Sequence, residues 1–489
     1  MAILTPLPPS KTGVAHYASM VVPALRLSLQ SDPPTVDGQR MTVEAFASPD
    51  GYDSAKFDHH IYQLGNNPYH QWMYAEALRV PGVVVLHDLV LHHLIVEMTL
   101  ARGDVEGYVH ALEASHGPAG VAWARGRAAG LHSEMGNFLL PASVEVARRS
   151  LSVIVHNHYA AERLRSFGVE TPIHVVPHPY IPETRPFDRD ALRARLGFDR
   201  NHRVIGFFGF LTAAKRAEVV LKAFREARAR DPRLALLIVG DPAPNIDLEG
   251  LRGDGIVMTG FVADDAFPEY YAIADRFVNL RYPSAGETSG TLIRALDAGK
   301  PVAVSDYAQF AELPDDVAFK VPLGEGEVER LLEFFTRELD DAAPRQRAWL
   351  EENAAMEKTV AGYRRVLLGA RPASVPRSAP HPGMPLFPRL ELVEAQFAEE
   401  VTLTIRNLGQ PLRTRTYGQP EYRLIARLFD GHSVVQDHWL SLPRDLGAGE
   451  STRLTFPRIT ASATTLRLYH ALQDVPMLDP EPWETADVR

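Results

Sequence analysis

The chain has 489 residues, 45% of them apolar and 23% charged, the proportions of a soluble globular protein with about three domains. A net charge of −10 argues against a general nucleic-acid binder, and the absence of cysteine excludes disulfides and thiolate chemistry. Apolar runs stop short of the roughly 18 residues that span a bilayer, and prolines interrupt MAILTPLPPSKTG too early for a signal peptide. The expectation is a cytoplasmic protein, at most peripheral at the inner face of a membrane.

The first half alternates strand-like runs with helical stretches. The strands are expected at Ala2–Thr5, Val43–Phe46, His60–Leu64, Val83–Leu86, Val153–Val155 and His174–Val176. Runs such as VVVL are apolar throughout and rich in β-branched valine, the pattern of strands buried on both faces. Helices are expected between them, including His16–Leu29 and Pro68–Val80. This alternation predicts a doubly wound parallel sheet over residues 1–180.

Pro177–Arg203 reads as a polar, Pro-rich link. A second α/β series, assigned to 181–370, follows with strands at Val204–Phe208, Ala235–Val239, Ile256–Thr259, Phe277–Leu280 and Val302–Ser305. Its helices include Ala217–Arg230 and Asp264–Ile273, and a long helical region, Glu327–Leu368, completes it. Residues 371–388, rich in Pro, Ser and Ala, read as an extended linker. Alternating strands then fill 389–489, and roughly seven short strands in that length predict a β-sandwich.

Two consecutive doubly wound domains leave a cleft between the carboxyl ends of their sheets, where ligands bind in such folds. The loops leaving those strands hold the candidates. Gly209-Phe-Leu-Thr-Ala-Ala-Lys-Arg gives close backbone approach at Gly209 and two cations, Lys215 and Arg216, at a helix start. Cations placed there suit a bound anion such as a diphosphate. A solvated pair on a first turn is the plainer alternative. Gly286-Glu287-Thr288-Ser289-Gly290 offers a carboxylate for a ribose diol and N–H groups at a helix start, with Arg281 on the preceding strand. An N-cap explains Ser289 or Thr288 without any ligand. His87-Asp88 closes the VVVL strand and suits a sugar hydroxyl; with His92 it would also make a conceivable zinc site, against a plain strand-end histidine. Lys11 and the N–H of Gly13, in the first strand-to-helix loop, can reach a phosphate, though an ordinary turn fits as well.

Taken together, PLPPSKTGVAHYA, VVVLHDLVLHH, SVIVHNHYAAERL with HVVPHP, GFFGFLTAAKR, LLIVGD and RYPSAGETSGTLIRALDAGKPVAVSD resemble the retaining GT-B glycosyltransferases of family 4 over about residues 1–368. The resemblance implies two Rossmann-like domains, a nucleotide-sugar donor in the second and a glycan or lipid-linked acceptor in the first. It implies transfer with retention, without a metal or other cofactor. It matches Lys215 to the phosphate-binding lysine, Glu287 to the first of two paired glutamates, Gly13 to the loop glycine near the diphosphate and His87 to a histidine near the transferred sugar. The family often has Arg where this chain has Phe210, and its second glutamate falls on Arg294. The last hundred residues resemble immunoglobulin-like sandwiches appended to some bacterial surface-polysaccharide enzymes. In these, Trp439, Tyr469 and Trp483 would be a sugar-stacking surface or, by preference, sandwich core.

The sequence therefore predicts a retaining glycosyltransferase of surface-glycan assembly. Its rivals are a catalytically degenerate nucleotide-sugar-binding scaffold and a sugar-nucleotide epimerase on the same fold. A phosphorylase would need a pyridoxal lysine, which the sequence does not reveal.

Overall fold

The computed structural model describes the chain except residues 11, 33–34, 37–38, 129, 131–133, 244–252, 264–265, 325, 370–389, 409–421, 444, 459–461, 473–474, 478–483 and 489. The expected linker 371–388, Lys11 and Trp483 lie outside the described residues.

The first sheet has six strands, all parallel: β1 (Ala2–Leu4), β2 (Glu44–Phe46), β3 (His60–Leu64), β4 (Val83–Leu86), β5 (Ser152–Val155) and β6 (Ile173–Val175). They lie in the order β2-β1-β3-β4-β5-β6. The second sheet, also parallel, contains β7 (Arg203–Phe208), β8 (Leu234–Val239), β9 (Ile256–Met258), β10 (Arg276–Asn279), β11 (Val302–Ser305) and β12 (Phe319–Val321). Its order, β9-β8-β7-β10-β11-β12, reverses at β7 and so opens a switch-point crevice between β7 and β10. Strand β8, LALLIV, is buried along its whole length: Leu234, Leu236 and Ile238 pack on one face, Ala235, Leu237 and Val239 on the other. This two-sided burial is why such strands read as unbroken apolar runs.

Strand β12 escaped the sequence analysis. It is three residues long and has Lys320 at its centre, which masks the apolar signal. The expected link Pro177–Arg203 contains a helix, Arg189–Arg195, docked on the second sheet through Leu192 and through Arg193, which donates to the Ile273 carbonyl. The expected long helical region is three helices, Glu327–Thr336, Ala343–Asn353 and Met356–Leu367.

The last of these returns to the first sheet. Val360, Tyr363 and Val366 join Tyr17, Val21 and Leu25 of helix α1 (Gly13–Ser31) in one apolar cluster. The hydroxyls of Tyr17 and Tyr363 hydrogen-bond at 2.9 Å. Arg364 donates to the carbonyls of Ser28 and Asp32.

The C-terminal region is antiparallel and all β. Leu390–Phe397, Glu400–Asn407 and Ser451–Pro457 form one sheet. Tyr422–Asp430, Ser433–Ser441, Thr465–Leu472, Val475–Met477 and Glu484–Asp487 form the other. Val401, Leu403 and Ile405 face Leu424, Leu428 and Leu468 in a shared core, the layering of a sandwich. Tyr469 is buried, but with Ile425 and Ala471 in a separate small cluster, and Trp439 is partly exposed beside Ile425.

Candidate functional site

Three contacts close the two sheets against each other at their carboxyl ends. The N–H of Val90 donates to the Ala285 carbonyl at 3.1 Å. Asn157 Nδ2 donates to the Gly286 carbonyl at 2.9 Å. The Glu312 carboxylate accepts from the N–H groups of Tyr159 (2.6 Å) and His158 (3.1 Å), the first residues of helix His158–Ser166. Gly286 makes this closure possible. Its φ is +73°, and a Cβ there would stand 2.7 Å from Leu89 Cβ. A glycine adopts that backbone freely and leaves room for the first domain's loop.

On the second-domain side, Lys215 lies almost wholly buried under the loop that leaves β7, with its Nζ bonded to the Phe208 carbonyl. Gly209 sits directly over it, with φ +88° and a Cβ position 2.6 Å from Nζ. The left-handed backbone at this turn is what favours glycine here, and a Cβ would also push the lysine's ammonium aside. Arg281 Nε donates to Glu287 Oε1 at 3.2 Å, and Ser284 Oγ donates to Glu287 Oε2, also at 3.2 Å. Gln309 Nε2 holds the Glu287 carbonyl at 2.7 Å. Burial pushes the Lys215 amine well below its usual range; Arg281 adds to that, and Glu287 opposes it. Burial also lowers Arg281, again against Glu287. Lys215 and Arg281 thus share the field of one carboxylate in a largely buried site, an arrangement that gains when an anion enters.

Opposite them stands the first domain's Asp88. Its carboxyl accepts from the Asn66 N–H at 2.7 Å. Burial, and next the charge of Glu287 across the cleft, raise Asp88 to about 7. His87 is buried, and its Nδ1 lies 3.1 Å from His156 Nε2.

The remaining candidates fall into four groups. Ser289 caps helix Gly290–Asp297, accepting from the Leu292 N–H at 3.3 Å, while Gly290 faces open space. Thr288 and Ser289 also line an interdomain cavity of about 610 Å³, together with His156, Gln309 and Trp349. Gly13 is the first residue of α1 with open space at its Cβ position, and the preceding Thr12 caps the helix by accepting from Ala15. Arg216, expected beside the diphosphate, is committed elsewhere: it pairs with buried Glu327 and lies 5.8 Å from the Tyr282 ring. His92, weighed as a zinc ligand with His87 and Asp88, bonds the Leu140 carbonyl through Nδ1 and Tyr108 through Nε2, both at 2.6 Å. Both of its nitrogens serve the first domain's core.

His156 is not among the candidates read from the sequence. The strands offered a signal: Leu86 and Val155 are register partners on β4 and β5, so the residues that follow, His87 and His156, leave the sheet side by side.

Residues 202–335, the whole second sheet and its loops, match the family described as glycosyl transferases group 1. Over 142 residues the chain is 34% identical to D-inositol 3-phosphate glycosyltransferase of Rhodococcus erythropolis, covering 27% of this chain and 32% of that protein. Over 266 residues it is 28% identical to 2-deoxystreptamine glucosyltransferase of Streptomyces kanamyceticus, covering 50% of this chain and 62% of that one. The chain thus spans less than two thirds of the length of either relative. Among solved structures, Anabaena HepE in complex with UDP and glucose aligns with 75% of this chain and 99% of its own, at 17% identity and a TM-score of 0.49.

Proposed function

We propose that the protein is a glycosyltransferase that moves a sugar from a nucleotide-sugar donor to a hydroxyl acceptor with retention of configuration. The observation that carries this reading is a buried Lys215 beside the Arg281–Glu287 ion pair at the carboxyl end of a parallel sheet, two basic side chains against one carboxylate. This group lies within the stretch that matches the glycosyl transferases group 1. A donor diphosphate supplies the missing negative charge. As the bond from the anomeric carbon to the phosphate oxygen breaks, charge builds on that oxygen, and Lys215, Arg281 and the N–H groups of the Ser289–Gly290 helix start stabilise it.

In this mechanism no side chain attacks the sugar. The acceptor hydroxyl approaches on the face the phosphate leaves, forms the new bond to the anomeric carbon and gives its proton to the departing phosphate oxygen. Asp88 and His87 orient hydroxyls from the opposite wall, and closure of the two domains keeps water out. With two cations already in place, the reaction needs no divalent metal, and activity is expected to survive EDTA.

We assign the acceptor to the surface-glycan or lipid-linked class and the C-terminal sandwich to an immunoglobulin-like docking module. The support is the sandwich layering and the sequence resemblance; the family match ends at residue 335 and says nothing of the acceptor. The direct test is a panel of nucleoside diphosphates scored for thermal stabilisation, followed by turnover of the matching sugar nucleotides. Stabilisation by one diphosphate, with release of that diphosphate only when an acceptor is present, is the expected result. Binding without turnover on any acceptor would mark a scaffold, and donor conversion without acceptor an epimerase.

A further inference from the structure

The hydrogen bonds around His87 fix which of its nitrogens carries the proton. His156 Nδ1 lies 2.9 Å from the Val176 carbonyl. A carbonyl only accepts, so Nδ1 of His156 bears the hydrogen. Burial holds His156 at about 4, so near neutral pH its ring is uncharged and its Nε2 is a lone pair. That lone pair faces His87 Nδ1 at 3.1 Å and accepts its hydrogen. Burial, followed by the nearby histidines 156, 178 and 70, keeps His87 uncharged as well. Its Nε2 is therefore a lone pair too, buried and without a hydrogen-bond partner among the described residues. A buried acceptor left unmatched costs about 1–3 kcal/mol, so this nitrogen stands ready for a donor group.

The rings cannot easily turn. Tyr17 packs edge-on against His87 with centroids 4.5 Å apart, and its ring also contacts His156 at 5.3 Å and His178 at 5.0 Å. The Tyr17 hydroxyl is in turn held by Tyr363 on the returning helix. The chain of groups runs from the Val176 carbonyl through His156 to His87.

We propose that His156 is a positioning residue that locks His87 in its Nδ1–H tautomer, so that His87 Nε2 receives a hydrogen bond from a hydroxyl of the bound sugar or acceptor. This deepens the transferase reading and rests on it for the identity of the ligand. It makes the first-domain wall selective for a hydroxyl at that point, because a group lacking O–H leaves the buried nitrogen unmatched.

The test compares His156→Gln, whose side-chain oxygen can replace Nε2 as acceptor, with His156→Leu, which removes it. Imidazole ¹⁵N shifts of the ligand-free full chain, assigned with His87→Gln, report the tautomer without reference to activity. The expected result is a protonated Nδ1 and an unprotonated Nε2 on His87 in the wild type and in His156→Gln, and a mixed tautomer in His156→Leu. Turnover on the sugar nucleotide found by the diphosphate panel should fall about tenfold to a hundredfold in His156→Leu, by analogy with the outer partners of metal-bound histidines. The loss should fall in kcat more than in KM, and His156→Gln should recover most of it. An unaltered His87 tautomer in His156→Leu, or equal loss in both variants, would overturn the proposal. If the wild type turns over no sugar nucleotide, the transferase reading fails while the shifts still decide the tautomer.

Discussion

Glu312, on the second domain, caps a helix of the first: its carboxylate accepts the Tyr159 N–H at 2.6 Å and the His158 N–H at 3.1 Å. An anion at a helix start is favoured by the exposed N–H groups and the helix dipole. Here it ties the second domain to the first across the cleft. Glu312→Ala should shift the ligand-free protein towards an open arrangement, seen as a larger radius of gyration in small-angle scattering. It should also raise the donor KM about threefold to tenfold, the equivalent of about 1 kcal/mol for a lost cap. An unchanged scattering profile would remove Glu312 from the closure.

Asp88 carries the pH dependence whose sign is clearest. Its folded value, about 7, lies above the ordinary 3.8 of an aspartate, because burial and Glu287 disfavour its ionised form. Below the unfolded value both states are protonated and the group has no effect. Between the two values the unfolded chain ionises while the native carboxyl keeps its proton, so stability falls across that window and levels off above about 7. Asp88→Asn should therefore raise Tm at pH 8, by an amount equivalent to at most about 4 kcal/mol, and leave it unchanged at pH 3. Melting curves at the two pH values check this; equal shifts at both would assign the effect to packing.

Lys215 calls for a substitution gentler than alanine. A surface lysine would tolerate alanine, but this one is buried and bonds the Phe208 carbonyl. Lys215→Met keeps the stem and removes the charge. We expect kcat to drop about a hundredfold, near 3 kcal/mol of leaving-group stabilisation. Stability should change by no more than about 1–3 kcal/mol, the range for one unmatched carbonyl. Turnover near the wild-type level would move the diphosphate elsewhere.

Glu287 has two tasks, and the two standard substitutions separate them. Glu287→Gln keeps an oxygen for Arg281 or Ser284, whereas Glu287→Ala leaves Arg281 buried without its carboxylate. The alanine variant should lose about 1–3 kcal/mol of stability and bind nucleoside diphosphate more weakly than the glutamine variant. Calorimetric titration of both, alongside their melting curves, would show it. Wild-type affinity in each would make Glu287 a purely structural partner of Arg281.

A chain ending at Gly369 keeps both parallel sheets and the returning helix. We expect it to fold and bind nucleotide. It should, however, associate in solution, because strand Val475–Met477 of the sandwich lies against helix Pro118–Ala128 and its removal uncovers that face. Light scattering and nucleotide titration of the truncated protein test the two halves of the statement. Loss of nucleotide binding would make the sandwich part of the donor unit.

The fold was legible where a local pattern dictates the element. Val83–Leu86 and Val302–Ser305 are short β-branched runs, and each forms a strand over those residues. The same rule missed Phe319–Val321, whose strand character comes from pairing with Val302–Ser305 rather than from its own composition. The site divides in the same way. Gly209, Lys215 and Glu287 lie on loops that strand ends mark out. The partner of Arg216 is Glu327, 111 residues away, and no spacing rule connects them. His87 and His156 are 69 residues apart, and only the neighbouring register of their strands brings them together.

The returning helix also sets an order of events during synthesis. Val360, Tyr363 and Val366 are core side chains of a domain whose first strand begins at Ala2. A ribosome must translate nearly the whole two-domain unit before that core is complete, and until then the faces of Tyr17, Val21 and Leu25 wait uncovered. Chains whose packing depends on so distant a segment are slow to settle and exposed to aggregation while they wait. Heterologous production should therefore respond to chaperone supply and to slower translation, and N-terminal fragments of about 180 residues should be poorly soluble even though they contain every strand of their sheet.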